Sequence, residues 1–135
     1  MITVKISDML VYSSFHLKES LLMFPDELQE FSRQIQKCIK KTIANVDKHR
    51  SLITETKYIM RLFDIAIHQN ASLRDEIYCQ LVRESNCNPN GENVRFVYQI
   101  MFCCLAVFPP SKLLHPYLRA YLKKSATSRE NSSQR

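Results

Sequence analysis

Three groups of side chains in this sequence could carry out chemistry, and the first is a single thiol. Cys79 could act as a nucleophile if a base or a positive charge lowered its pKa, and His68 is the nearest histidine in the sequence. However, Cys79 lies in the run Leu73–Leu81, where apolar residues recur at helical spacing, and nothing there supplies a mobile backbone for an oxyanion site. We therefore interpret Cys79 as a packing residue and expect no enzymatic activity.

The second group is a pair of adjacent carboxylates, Asp75 and Glu76. Neighbouring positions on a helix diverge by about 100°, so the pair does not resemble the two opposed acids of a hydrolase. Ser72 can serve as an N-cap with Asp75 three residues later, which predicts that a helix begins at Ser72. We expect both carboxylates to cap this helix and to anchor loops, with Arg74 and Arg83 as simple ionic partners.

The third group is a set of five cysteines, which could in principle bind a metal or form disulfides. Their number is odd, and none has the Cys-x-x-Cys spacing of a metal site. Several lie in apolar runs, so we expect reduced, buried thiols, no metal and no cofactor. The set consists of Cys38, Cys79, Cys87, Cys103 and Cys104.

Helices must position these side chains. The chain has 135 residues, a single glycine and 45% hydrophobic residues, which favours one all-α domain over sheets or glycine-rich ligand loops. Apolar residues at spacings of three and four predict a compact bundle of about six helices. The first three predicted helices cover residues 17–22, residues 25–46 and a stretch that begins near Leu52 and ends near Asn70. The fourth runs from Ser72 to a turn at 85–91, the fifth covers residues 96–108, and the last follows Pro116.

One predicted helix should lie at the centre of the bundle. Residues 96–108 contain only Gln99 as a polar residue, so this helix must be enclosed, with Leu105 buried, and it ends at Phe108-Pro109-Pro110. We place the domain at residues 9–124, after a leader at 1–8 and before a disordered tail at 125–135. No signal peptide or membrane span is predicted, since the longest apolar run is far below the roughly 20 residues that a span needs.

The charges point to a partner-binding surface. The net charge is +6, and residues 33–50 and 112–135 each contribute +5, from six basic residues and one acidic residue in each segment. Such segments are often only solvated surface, but they also fit a surface that meets an acidic partner. The basic residues of the helix predicted at 25–46 lie off its apolar stripe and should form one exposed face, which the last helix would extend if it lies alongside. The expected partner-binding residues are Arg33, Lys37, Lys40, Lys41, Lys123 and Lys124.

Several motifs resemble a known family. The run LRDEIYCQL at residues 73–81, the loop at Asn88-Pro89, the segment Phe108-Pro109-Pro110-Ser111 and the spacing Tyr117-Leu118…Tyr121-Leu122 are similar to the myosin tail homology four domain. This is a helical module of unconventional myosin tails, plant kinesins and some adaptor proteins. A weaker likeness at residues 17–22 matches a Ser-Leu-Leu element near the start of the family's domain.

The resemblance implies a non-catalytic interaction module of a cytoskeletal motor tail. Such modules commonly adjoin a FERM domain and engage microtubules or cargo and scaffold proteins in the cytoplasm, associated with the cytoskeleton. The chain stops before a FERM domain, which fits a fragment or a shortened form. Charge alone supports one alternative, a basic helical domain that binds an anionic membrane or nucleic-acid surface, although no nucleic-acid motif or aromatic interleaving is visible.

Overall fold

The computed structural model describes residues 10, 12, 20–22, 24–49 and 57–133. Within these ranges the chain forms five α-helices and no strand, which confirms the all-α class. The predicted leader at 1–8 and the last two residues, 134–135, lie outside the described residues. The helices are α1 (Asp26–His49), α2 (Lys57–His68), α3 (Ser72–Ser85), α4 (Gly91–Val107) and α5 (His115–Ser133).

The segment before α1 differs from the sequence prediction of six helices. The chain bends at Leu21 and Leu22, where part of a short helix at 17–22 was expected, and residues 17–19 lie outside the described ranges. Side chains from elsewhere hold this segment: Gln29 Oε1 accepts the Ser20 N–H at 2.9 Å, and the Glu76 carboxylate accepts the N–H groups of both leucines. Backbone donors that are bonded in this way are not available to build a helix.

The central helix is α3, so the expectation that residues 96–108 would form it was wrong. Eleven of the fourteen residues of α3 are buried. Helix α4 packs one face against the core, and its Leu105 is only half-buried. Apolar content did not identify the central helix because α3 buries polar side chains as well. Among them are Glu76 and Gln80, whose hydrogen bonds are made inside the protein. The exposed residues on the other face of α4 include Gln99, Phe102, Cys103, Ala106 and Val107.

Glu76 anchors the segment before α1 to the centre of the fold. Its Oε1 accepts hydrogen bonds from Leu21 N–H at 2.6 Å, Ser32 Oγ at 3.1 Å and Gln80 Nε2 at 3.3 Å. Its Oε2 accepts the Leu22 N–H at 3.1 Å. Burial raises the pKa of Glu76, and these four hydrogen bonds partly oppose that rise. Glu76 was predicted to anchor a loop, and its carboxylate joins three segments of the chain: the segment before α1, α1 itself and α3.

Asp75 anchors the loop after α4, which confirms the loop-anchoring prediction but not the capping box. Its carboxylate accepts the Ser111 N–H at 2.9 Å and the Ser111 hydroxyl at 2.5 Å. Helix α3 does begin at Ser72, but Asn70 Oδ1 accepts the Ser72 N–H at 2.9 Å, and Ala71 already has helical backbone angles. Because the helical conformation starts one residue early, Ser72 does not cap α3 and Asp75 is available to the loop.

Helices α4 and α5 are both longer than the sequence suggested. Asn90 caps α4 by accepting the Asn93 N–H at 3.0 Å, so α4 begins five residues before position 96, and it ends at Val107, as the following Pro109-Pro110 predicted. Helix α5 runs on to Ser133, so residues 125–133 are helical where a disordered tail was expected. That segment contains no glycine or proline to end the helix. The domain boundary at 124 stays a prediction.

Candidate interaction surface

Three basic residues of α1 share one exposed stripe. Arg33, Lys37 and Lys41 follow one another at intervals of four residues, which places them on the same side of the helix, and all three are exposed. Arg33 makes an exposed ion pair with Glu30, with its Nη2 2.9 Å from the Glu30 carboxylate. An ion pair this exposed contributes at most about 1 kcal/mol, so it does not prevent the arginine from meeting another acidic group.

Lys40 does not belong to this stripe, which corrects the sequence assignment. Its Nζ lies 2.6 Å from Oε1 of Glu84 on α3, and both side chains are largely buried, with 22% and 6% of their surfaces exposed. The Nζ also lies 5.2 Å from the centre of the Tyr12 ring. Position 40 is four residues after buried Gln36 and three before buried Ile43, so helical geometry turns it toward the core. Lys40 holds α1 on α3.

The two lysines of α5 are exposed but lie at a different place. Lys124 borders a cavity of about 330 Å³ together with Asn86 and Cys87, in the loop that follows α3. Tyr121, three residues before it, shares a hydrogen bond of 2.7 Å with Ser85 at the end of α3. The residues that line the groove between α1 and α2, described next, do not include Lys123 or Lys124. The structure therefore does not gather all six predicted residues into one site.

A groove of about 790 Å³ runs between α1 and α2 beside the basic stripe. Its lining carries four basic side chains and one acidic side chain, a formal charge of +3, and it also includes apolar groups. The contribution of α2 was not predicted from the sequence, although Lys57, Met60 and Arg61 occupy helix positions opposite the buried residues Ile59 and Leu62. The lining residues are Glu30, Arg33, Gln34, Lys37, Cys38, Lys57, Tyr58, Met60 and Arg61.

Arg61 connects the two walls of this groove. Its Nη2 donates to Gln34 Oε1 on α1 at 2.6 Å, and its Nη1 donates to Asp64 Oδ2 on α2 at 2.6 Å. Cys38 also lines the groove; its burial raises the pKa of its thiol, and the positive charges of Arg61 and Lys37 partly oppose that rise. The groove is thus a mostly basic cleft whose lining includes one buried thiol.

The cysteines offer no reactive thiolate in the core. Burial raises the pKa of Cys79 to about 12, and it does the same for Cys104, so both are thiols at neutral pH. A thiol with so high a pKa is a poor nucleophile, and this agrees with the interpretation of Cys79 as a packing residue. Cys87 and Cys103 are exposed, which corrects the expectation that all five would be buried. Cys87 lies in a turn, and Cys103 lies on the outer face of α4, where helical geometry separates it from buried Cys104.

Metal-ligand clusters and membrane-spanning helices are both absent from the part of the chain that the structure describes. Within it, no cluster of three or more His, Cys, Asp or Glu residues has the arrangement of a metal site. None of the described helices is both long enough and apolar enough to cross a membrane. The surface that remains as a candidate site is the basic stripe with its adjoining groove.

Comparisons with known proteins agree on one family. The sequence profile of the MyTH4 domain matches residues 61–135. The Myosin-I heavy chain of Dictyostelium discoideum is 34% identical over 123 residues, which cover 86% of this chain and 5% of that protein. Human unconventional myosin-XVB is 29% identical over 127 residues, which cover 93% of this chain and 4% of that protein. This chain thus spans only a small fraction of either relative.

A solved structure supports the same assignment. It is described as the MyTH4-FERM MF1 domain of Dictyostelium discoideum Myosin VII, mutant 2, and it superposes on this chain with a TM-score of 0.74 and 26% sequence identity. The match covers 91% of this chain and 24% of that one. The helical fold, the profile match over more than half the residues and the myosin relatives together show that this chain belongs to the MyTH4 domain family.

Proposed function

We propose that this domain is a non-catalytic protein-interaction module of a cytoskeletal motor tail, and that it binds an acidic partner such as the microtubule surface or a scaffold protein. The myosin relatives and the MyTH4-FERM structure support the motor-tail setting, in the cytoplasm and at the cytoskeleton. They also support an adjoining FERM domain in the longer protein, since this chain covers 24% of the MyTH4-FERM chain that it matches.

The observation that best supports an acidic partner is the basic stripe on α1. Arg33, Lys37 and Lys41 are exposed along two turns of one helix, and Lys57 and Arg61 continue the positive charge across the groove. An array of this kind attracts an acidic surface over a distance and tolerates variation in its sequence. The acidic tails of tubulin have the required chemistry.

Binding through such a surface should be distributed over several weak contacts. Each exposed charge pair contributes at most about 1 kcal/mol, and the screening length is only about 8 Å at physiological ionic strength. Affinity should therefore fall steeply with salt, and single charge reversals should have small effects. We include Lys123 and Lys124 on α5 as an accessory basic position, which a long acidic partner could reach in addition to the stripe.

Cosedimentation with microtubules tests the proposal. The test variant combines Arg33→Glu, Lys37→Glu and Lys41→Glu, which reverses the stripe without touching the core. A matched control makes the same charge change elsewhere. It reverses three exposed residues away from the groove, namely Arg95, Lys112 and Arg119.

We expect the stripe variant to lose cosedimentation and the control to keep most of it. The double variant Lys123→Glu/Lys124→Glu should show a partial loss. All three should melt within a few degrees of the parent, because exposed charges contribute little to the free energy of unfolding. Equal pelleting of parent and stripe variant would remove the stripe from the proposal. Salt-dependent binding to acidic liposomes or to duplex DNA, without binding to microtubules, would favour an anionic membrane or nucleic-acid surface instead.

A further inference from the structure

We infer that the groove between α1 and α2 selects an acidic segment of a partner protein that also carries an apolar side chain. A purely polyanionic surface would bind less well. This inference rests on the function proposed above and adds the chemical class of the partner. It follows from the groove's mixed lining, in which charge and apolar surface lie side by side.

The apolar part of the lining is formed by three residues. Met60 on α2 is 59% exposed, although its neighbours Ile59 and Leu62 are buried in the core. Tyr58 is half-buried, with Lys57 Nζ 4.9 Å from the centre of its ring, and buried Cys38 also lines the groove. A single exposed methionine on a convex surface has no special meaning, but this one lines a concave cleft. Its flexible thioether can adapt to apolar side chains of different shapes.

The charged part of the lining comes from both helices. Arg33 and Lys37 lie on the α1 side, and Lys57 and Arg61 lie on the α2 side. A polyanion such as an unstructured acidic tail, a lipid headgroup layer or a nucleic-acid backbone could satisfy these charges, but it would leave Met60 and Tyr58 uncovered. An acidic peptide with an aliphatic or aromatic anchor covers both kinds of surface at once.

The dimensions of the groove set the length of the partner segment that it can bind. The lining residues of α1 extend from Glu30 to Cys38, a rise of about 12 Å at 1.5 Å per residue, or slightly more than two helical turns. A partner helix of about eight residues matches that length. The walls are already joined by the hydrogen bond of Arg61 to Gln34, so the cleft does not have to form when the peptide binds, and little ordering cost is expected on the side of the domain.

Fluorescence anisotropy with two synthetic peptides tests the inference. Both peptides have the same length, about 12 residues of Glu and Ala, and the same net charge, but one carries a central Phe and the other carries Ser at that position. We expect the Phe peptide to bind about 10-fold more tightly, which is what burial of part of one aromatic ring should contribute. Met60→Ser should abolish that preference, and Lys37→Glu should weaken the binding of both peptides.

Phe102→Ser is the matched control, because Phe102 is 64% exposed and lies on α4, outside the groove. It should leave the preference for the Phe peptide unchanged, and both Ser variants should melt like the parent. Equal affinity for the two peptides, or a preference that survives Met60→Ser, overturns the inference. If neither peptide binds, the inference also fails, and the microtubule assay still decides the proposed function separately. If the Phe peptide is preferred but microtubules do not pellet, the inference stands and the microtubule surface is removed from the proposed function.

Discussion

Replacing Glu76 tests whether a buried carboxylate holds the fold together. Glu76 has no exposed surface and accepts four hydrogen bonds, two of them from the backbone N–H groups of Leu21 and Leu22. In Glu76→Ala, Gln80 Nε2 can still donate to the Ser32 carbonyl oxygen at 3.1 Å, and the Ser32 hydroxyl can turn to a carbonyl oxygen of the preceding turn of its own helix. The two leucine amides lose their acceptor. At roughly 1–3 kcal/mol for each of these two donors left unsatisfied, we expect a loss of about 2–6 kcal/mol.

Glu76→Gln should be milder and should change the pH dependence. The glutamine keeps the shape and one acceptor oxygen, but its amide nitrogen opposes the Leu22 N–H, so we expect a loss of about 1 kcal/mol near neutral pH. Burial raises the pKa of Glu76, so the carboxyl group of Glu76 binds its proton more tightly in the folded parent than in the unfolded chain. The resulting stability is present below the unfolded pKa of about 4.3 and is lost as pH rises through the higher folded value. The cost of Glu76→Gln should therefore be larger at low pH than at neutral pH.

Urea denaturation followed by circular dichroism, at about pH 4 and about pH 7, measures both effects. Hydrogen exchange at the Leu21 and Leu22 amides should become faster in Glu76→Ala. The control is Glu92→Ala, which removes an exposed glutamate from the first turn of α4 and should cost less than about 1 kcal/mol. Equal stability of Glu76→Ala and Glu92→Ala, or a cost of Glu76→Gln that rises with pH, would refute this role of Glu76.

Three more outcomes follow from burial and hydrogen bonding. Asp75→Ala should cost about 1–3 kcal/mol in urea denaturation, because it removes the acceptor for a backbone N–H and a hydroxyl of the loop after α4; an unchanged midpoint would contradict this. Leu105 is half-buried and Met101 is fully buried, so Leu105→Ala should cost less than the roughly 2–5 kcal/mol expected for Met101→Ala. A larger cost for Leu105→Ala than for Met101→Ala in urea denaturation would contradict this. A thiol reagent should label Cys87 and Cys103 quickly in the native protein and the other three cysteines only after unfolding, so five fast thiols would count against the fold.

The sequence alone was sufficient for the fold class and for several helix ends. A single glycine and apolar residues spaced by three and four leave little alternative to an all-α domain, and the start of α3 at Ser72 and the end of α4 before Pro109 were both predicted correctly. These features depend on residues within about one turn of each other. The resemblance to the family also came from such local motifs, and the profile match over residues 61–135 agrees with it.

The tertiary structure alone decided which helix is central and which charges are free to meet a partner. Glu76 looks like a surface residue by type, yet its acceptors are satisfied by Leu21 and Leu22, which lie more than 50 residues away along the chain. Lys40 looks equivalent to Lys37 in sequence, but Glu84 of α3 holds it against the core. Periodicity shows which way a side chain points relative to its own helix. It cannot show whether water or another helix lies there, because that depends on how distant segments pack, and the groove between α1 and α2 exists only through that packing.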